Sequence, residues 1–237
     1  MKNLKNWDKK NWLSSDIYTS SIIKFLEKQI KFNQDIKILD AGCGRGKIIS
    51  TLSKKYQIKI LPLGIDIVDH KKIAKKIRFI NINASKFLNK TKEKFDLILF
   101  KQSIHFFNID TIQKILQYSK KKLNSKGKIV IFALHPKQNY WPMFKTFKEK
   151  LLESLEKDKI ILDSIKSYFK KYKISYFTFK VKVKKTSYIR MIKNRFTSCL
   201  LNLSAKELKE GIKEIKKQYK NELMFNDKLI CISYKKK

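Results

Sequence analysis

The sequence predicts an α/β protein with a doubly wound, mostly parallel sheet and helices on both faces. Three observations carry this. Short apolar runs alternate with helix-periodic segments, joined by short connections. Two runs, "FDLILF" (95–100) and "KIVIFAL" (128–134), are continuously apolar, as strands covered on both faces are. Three of the six glycines crowd into "ILDAGCGRGKI" (38–48), where such a run meets a helical pattern. Right-handed crossovers then wind the sheet both ways and bring ligands to the C-terminal ends of its strands.

The elements follow in order. Residues 16–31 read as a helix with Asp16 in its N-cap region and Ile22, Phe25, Leu26 and Ile30 on one face. "IKILDAG" (36–42) is a buried strand, and "GKIISTLSKKY" (46–56) a helix. "IKILPLGIDI" (58–67) is a second strand interrupted at Pro62, which cannot donate to a ladder. "HKKIAKKI" (70–77) is expected as a short helix with His70 at its surface start, and "RFINI" (78–82) as the third strand. "FDLILF" is the fourth strand. "DTIQKILQYSKKKL" (110–123) is an amphipathic helix closed by the turn "NSKG" (124–127), and "KIVIFAL" is the fifth strand.

Beyond 135 an aromatic loop leads to a helix within 135–155. "ISYFTFKVKVK" (174–184) alternates strictly and reads as a strand. "SYIRMIKNRFTSCLL" (187–201) is expected as a helix with Tyr188, Met191, Ile192 and Phe196 near one face. "SAKELKEGIKEIKKQY" (204–219) is a helix whose Ser204 and Glu207 have capping-box spacing, and "KLICISYK" (228–235) is the last strand. One domain of 237 residues is expected: an N-terminal helical cap (1–35), a ligand-binding core (36–135), a substrate-side lid with C-terminal helices (136–220) and a final strand (221–237).

Composition narrows the function. The chain is 43% apolar and 12% aromatic, which is globular. Its first residues lack the apolar run of a signal peptide, no apolar stretch is long enough to span a bilayer, and Cys43, Cys199 and Cys231 form no CxxC. A cytoplasmic protein with no membrane, disulfide or metal role is expected. The net charge of +36 points toward nucleic acid, but only four of the 56 basic residues are arginines, and lysine pairs spread from Lys9–Lys10 to Lys235–Lys237. That pattern, with abundant Ile and Asn, is what AT-rich codons produce, whereas a phosphate-tracking stripe is localised. In such a chain, remaining Gly and Arg positions are expected to resist replacement.

The glycine loop is the most specific signal. Gly42-x-Gly44-x-Gly46 between strand and helix allows a tight turn, close approach of a ligand to bare backbone, and free helix N-terminal amides. A dinucleotide fingerprint fails because Lys47 stands where its third glycine belongs, and the G-x-x-x-x-G-K-[ST] spacing does not occur.

"ILDAGCGRG" closely resembles the first motif of class I S-adenosylmethionine-dependent methyltransferases, of the small-molecule, type 11/12-like kind. The resemblance covers about residues 36–135, and more loosely the C-terminal third. It implies a Rossmann-like methyltransferase fold with a seven-stranded, mostly parallel sheet, and S-adenosylmethionine as cofactor. It also implies that Asp40 helps hold the amino end of the cofactor's methionine and that Gly42, Cys43, Gly44 and Gly46 back onto methionine and ribose. Asp66, followed by Ile67, would accept from the ribose diol. Asn83, standing where the family usually has Asp, would lie with Ala84 near adenine and accept from its amino group through the amide oxygen. Lys101 and Gln102 would fall in the cofactor-facing stretch after the fourth strand.

Methyl transfer is an in-line displacement that needs a positioned nucleophile and, where that nucleophile carries a proton, a base. His105, after the fourth strand, is the candidate base, with a packing role as the alternative; His135 is a weaker candidate. Tyr188, Arg190 and Arg195 on a lid helix are candidate substrate contacts, because an arginine fork suits a small anionic acceptor. Trp7, Trp12 and Trp141 near Tyr140 could line an apolar wall or belong to the core. "KQSI" (101–104) replaces the D/N-P-P-Y of amide-nitrogen methyltransferases, and no Pro-Cys pair offers a thiolate for cytosine chemistry. The expected function is therefore methylation of a small molecule. An RNA or protein methyltransferase using the basic surface, a non-catalytic cofactor-binding relative and, more distantly, a nicotinamide enzyme remain as alternatives.

Overall fold

The computed structural model describes residues 11–237; Trp7 lies outside them. Seven strands form one sheet: β1 (Ile38–Ala41), β2 (Leu63–Asp66), β3 (Arg78–Asn81), β4 (Phe95–Lys101), β5 (Leu123–Leu134), β6 (Lys173–Lys184) and β7 (Glu222–Lys235). Their order is β3-β2-β1-β4-β5-β7-β6. The first five are parallel, with Leu39 opposite Leu63 on one side and Ile98 on the other. β7 runs antiparallel to both neighbours, pairing Val130 with Ser233 and Phe177 with Leu229. The sheet is thus the mostly parallel, Rossmann-like one that was expected, closed at one end by an antiparallel pair.

Helices α1 (Asp16–Glu27), α2 (Lys47–Tyr56), α3 (Ala84–Lys90), α4 (Ile109–Lys121), α5 (Lys145–Phe169), α6 (Lys185–Lys193) and α7 (Ala205–Gln218) cover both faces. One apolar cluster joins α1, α2, α6 and α7 to residues such as Leu97 and Val130; the other joins α3 and α4 to Ile98 and Ile129. The 25-residue α5 serves both, through Phe147, Leu151 and Leu155 in its first half and Ile161, Leu162 and Ile165 in its second.

Local chemistry sets the boundaries. Ser15, not Asp16, caps α1, its side chain accepting from Tyr18 N at 3.1 Å, and the helix ends at Glu27, short of the expected 31. The capping box forms at α7, with Ser204 N donating to Glu207 Oε2 and Glu207 N to Ser204 Oγ. β2 begins only after Pro62, whose carbonyl instead accepts from Arg78 N.

The structure corrects three expectations. Residues 70–77 form no helix, because their backbone is tied elsewhere: Ala74 N donates to Arg45 O, and Ser50 Oγ to Lys75 O. The "NSKG" turn is drawn into the start of β5 as an irregularity, where Lys126 takes φ +61° and the register with β4 slips between Phe95 and Leu97. The stretch 187–201 is not one helix. α6 ends at Lys193, Arg195 reverses the chain at φ +51°, and a 3-10 turn follows at Ser198–Leu200. The strand expected over 174–184 forms, as β6, within 136–220. Among the described residues no helix is long and apolar enough to cross a membrane, and no cluster of His, Cys, Asp or Glu could hold a metal.

Candidate active site

The glycine loop leaves β1 and is pinned at once to β2: Gly42 N and Cys43 N both donate to Ile65 O, at 2.8 and 3.1 Å. All three glycines take positive φ, +81°, +56° and +72°. Their neighbourhoods differ. A Cβ on Gly42 would lie 2.3 Å from Ser103 Cβ, and one on Gly46 would lie 2.2 Å from Ile77 Cδ1. A Cβ on Gly44 would meet nothing within 4 Å. Only the middle glycine therefore leaves its backbone open; the outer two make room for the protein's own side chains.

That open backbone faces a cavity of about 1080 Å³, counting its mouth, lined by Gly42, Gly44, Asp66, Ile67, Asn83, Ala84, Lys101 and Gln102. Asp66, at the end of β2, is built into the loop: Oδ2 accepts from Gly44 N at 2.8 Å and Oδ1 from Val68 N at 2.9 Å. A carboxylate oxygen retains lone-pair capacity beyond one such bond, so both can still accept from a diol.

Asn83 departs from expectation. Its Oδ1 caps α3, accepting from Ser85 N at 2.9 Å and Lys86 N at 3.4 Å. An amide oxygen has two lone pairs. Asn83 lines the cavity, but its amide oxygen is already engaged in capping α3 rather than free as expected.

Asp40, Cys43 and Gly46 do not line the cavity. The Cys43 thiol turns toward β2, where a Cβ on Gly64 would come within 2.7 Å of Sγ. Asp40 is 2% exposed, and its Oδ1 is buried without a hydrogen-bond partner. Burial pushes its carboxyl up to about 7, with Lys101 opposing and Asp66 adding to the rise. Burial likewise pulls the Lys101 ammonium down to about 8, against the attraction of Asp227 and Asp40. Lys101 Nζ donates to Gln102 Oε1 at 2.8 Å and lies 5.0 Å from the Tyr18 ring centre. Asp227, fully buried on β7, accepts from Trp12 Nε1 at 3.2 Å. Lys101, on the cavity wall, thus feels the charges of two buried carboxylates, Asp227 and Asp40.

A second cavity, about 510 Å³ with its mouth, adjoins the first and shares Gln102 and Phe106 with it. Gln102 holds φ +53°, a strained conformation for a side-chain-bearing residue. His105 lies in this second wall, its ring 4.2 Å from that of Phe106, and burial pushes its imidazole down to about 4. It is therefore neutral near pH 7, and a weak base.

The candidate substrate contacts separate. Arg195 lines the second cavity. Tyr188 does not: it is wholly buried, donates to Pro142 O at 2.7 Å and packs among Trp12, Phe196 and Phe225. Arg190 is exposed on the far side of α6 and lines neither cavity. The 3.6-residue period explains both: it turns Tyr188 and Ile192 inward and Arg190 outward. Trp141 serves both expected roles, core member and cavity wall, whereas Trp12 packs edge-on behind it at 5.8 Å and Tyr140 is 79% exposed. His135 lines neither cavity; its ring lies 5.5 Å from that of Tyr176.

Sequence reasoning missed several residues of the first cavity, His70 and Ser103 among them. His70, expected at the surface, is 5% exposed and lines it, with Nδ1 buried and unpartnered. Ser103 holds the loop by donating to Ala41 O at 2.6 Å.

Comparison with known proteins agrees with this architecture. Residues 38–127 match the model of a family described as a methyltransferase domain. No curated protein matches the sequence. Among solved structures, the plantazolicin methyltransferase BpumL, crystallised with a pentazolic desmethylPZN analog and SAH, is similar at 16% identity over 100% of this chain and 90% of that one, TM-score 0.56. A SAM-dependent methyltransferase from Archaeoglobus fulgidus is similar at 18% identity over 93% and 94%, TM-score 0.56. A precorrin-6y C5,15-methyltransferase from Geobacter metallireducens GS-15 is similar at 11% identity over 93% and 90%, TM-score 0.54. At these identities the likeness is one of fold.

Proposed function

We propose that this chain is an S-adenosylmethionine-dependent methyltransferase that methylates a small-molecule acceptor, with cofactor in the first cavity and acceptor in the second; the methyltransferase-domain match over residues 38–127 and the fold support this. The observation that carries this reading is the open backbone of Gly44 beside Asp66, at the mouth of a cavity joined to another through Gln102.

The residues present fit an adenosyl sulfonium. Bound S-adenosylmethionine supplies an electrophilic methyl group on a positively charged sulfur. Asp66 offers the sugar two oxygens already oriented by Gly44 N and Val68 N, so little reorganisation accompanies binding. Asn83 and Ala84 border the part of the cavity assigned to the base. Asp40, one wall layer back, acts on the cofactor's charge through the field of the Asp40–Lys101–Asp227 group. Gln102 and Phe106 border both cavities, which supports methyl transfer at their junction. His105, neutral and apolar-walled, orients the acceptor by hydrogen bonding and excludes water. Residues 195–201 close the acceptor side.

Calorimetry with S-adenosylmethionine and its demethylated product, on wild type and on Asp66→Ala, tests the cofactor assignment. Heat with wild type and its loss in the variant are expected. Release of S-adenosylhomocysteine against a metabolite panel then tests turnover. Absence of heat on well-folded protein overturns the reading.

A further inference from the structure

The second cavity, proposed as the acceptor site, carries a recognisable chemistry. Its walls are mostly apolar: Trp141 and Phe196 line it, their rings 6.0 Å apart with 43° between planes. Into this wall the fold places one guanidinium. Arg195 Nη1 donates to Leu200 O and, at 3.1 Å, to Leu201 O. These bonds fix the group without neutralising it.

Among the described residues no carboxylate forms an ion pair with Arg195. By contrast Arg78 pairs with Glu93 at 2.7 Å. Glu207 feels the charge of Arg195, but its Oε2 accepts from Ser204 N within the α7 capping box. With Nη1 engaged, the guanidinium keeps its Nε–Nη2 edge, the side-on fork that matches the two oxygens of a carboxylate. A fixed cation without a counter-charge in an apolar wall gains most from a ligand that brings one.

We infer that the acceptor is an aromatic acid, its carboxylate on the free edge of Arg195 and its ring at the wall that Trp141 and Phe196 form. This assignment rests on the placement of cofactor and acceptor in the two cavities proposed for the methyl transfer. A planar ring gains apolar contact there, and its carboxylate supplies orientation.

The test titrates benzoate, 4-hydroxybenzoate, indole-3-carboxylate and 2-naphthoate, each beside its carboxamide, into protein saturated with S-adenosylhomocysteine and into protein without it. At least one acid is expected to bind about tenfold or more tightly than its amide, the scale of a charge-assisted hydrogen bond. Arg195→Gln should abolish that preference, Arg195→Lys should keep part of it, and both should leave S-adenosylhomocysteine affinity unchanged. Should Arg195→Gln fail to fold, Leu201→Trp fills the cavity and is expected to abolish acid binding alone. Binding of no acid, equal binding of acid and amide, or a preference that survives Arg195→Gln overturns the inference. A missing S-adenosylhomocysteine heat overturns the cofactor assignment instead, and the titrations without it still read the acid preference.

Discussion

The amide of Gly44 donates to Asp66 Oδ2 at 2.8 Å, so the glycine loop and the acid of the neighbouring strand are one hydrogen-bonded unit before any ligand arrives. Asp66→Asn keeps the size of the side chain but loses the charge, and whichever way the amide faces it sets an N–H₂ against Gly44 N–H or Val68 N–H. S-adenosylhomocysteine affinity should fall about 10- to 100-fold, the scale of a charged hydrogen bond. The Gly44 amide should exchange faster with deuterium in the free protein. Calorimetry and exchange measured on the same variant check both.

Gly42 and Ser103 should be coupled. Gly42→Ala sets Cβ 2.3 Å from Ser103 Cβ and forces a side chain to φ +81°. The expected loss is about 3 kcal/mol or more, of which the backbone share alone is about 1–2 kcal/mol. Ser103→Gly removes the overlap but not the backbone strain. Urea unfolding of the four proteins in the cycle should give a favourable coupling of about 1–2 kcal/mol.

Asp40 makes stability depend on pH. Its folded pKa, about 7, lies above the unfolded value of 3.8. The stability it contributes is therefore complete below pH 3.8 and is lost as pH rises through about 7. Asp40→Asn should be more stable than wild type at pH 8, by on the order of 3 kcal/mol, and the advantage should vanish near pH 4. Its cofactor affinity should be lower at pH 8, where wild-type Asp40 is ionised, and match wild type near pH 4, where Asp40 is neutral. Thermal unfolding at both pH values, with and without S-adenosylhomocysteine, separates the two effects.

His105 should leave no mark on the pH profile near neutrality. Its imidazole is held down to about 4, below the usual 6.5, so the stability tied to its neutral form is complete above 6.5 and lost as pH falls through 4. Turnover between about pH 5.5 and 8 should show no limb that His105→Asn removes. A limb near 6.5 that disappears in the variant would make it the general base after all.

Tyr188 and Arg190 should be silent in binding. Tyr188→Phe leaves Pro142 O without its donor and should cost about 1–2 kcal/mol of stability, with cofactor affinity unchanged. Arg190→Lys, exposed on α6, should change stability by less than about 0.5 kcal/mol. Denaturant melts paired with calorimetry check both variants.

Much of the fold could be read from local pattern. The continuous runs at 95–100 and 128–134 are central strands because both faces are covered, and the Ser204–Glu207 spacing became a real capping box. What failed depended on partners distant in sequence. The segment 70–77 has helical periodicity, yet its backbone groups answer to Arg45 and Ser50, some 25 to 30 residues earlier. That tether also buries His70, which nothing in its neighbours announces. In the candidate site, Asp66 and Gly44 were legible because strand, loop and spacing are local. The closing side was not. Periodicity marked Tyr188 as inward, but whether inward meant cavity or core was decided by Pro142 and Trp12, far away in the chain.

The sheet order sets a timetable for maturation. β7 comes after every other strand in sequence, yet it lies between β5 and β6. Until residues 222–235 have emerged from the ribosome, β6 has no lane to join, Trp12 lacks the Asp227 carboxylate and Phe225, and the aromatic packing behind Trp141 stays unfinished. A nascent chain can assemble its glycine-loop half early, but the aromatic half waits for the last strand to be delivered.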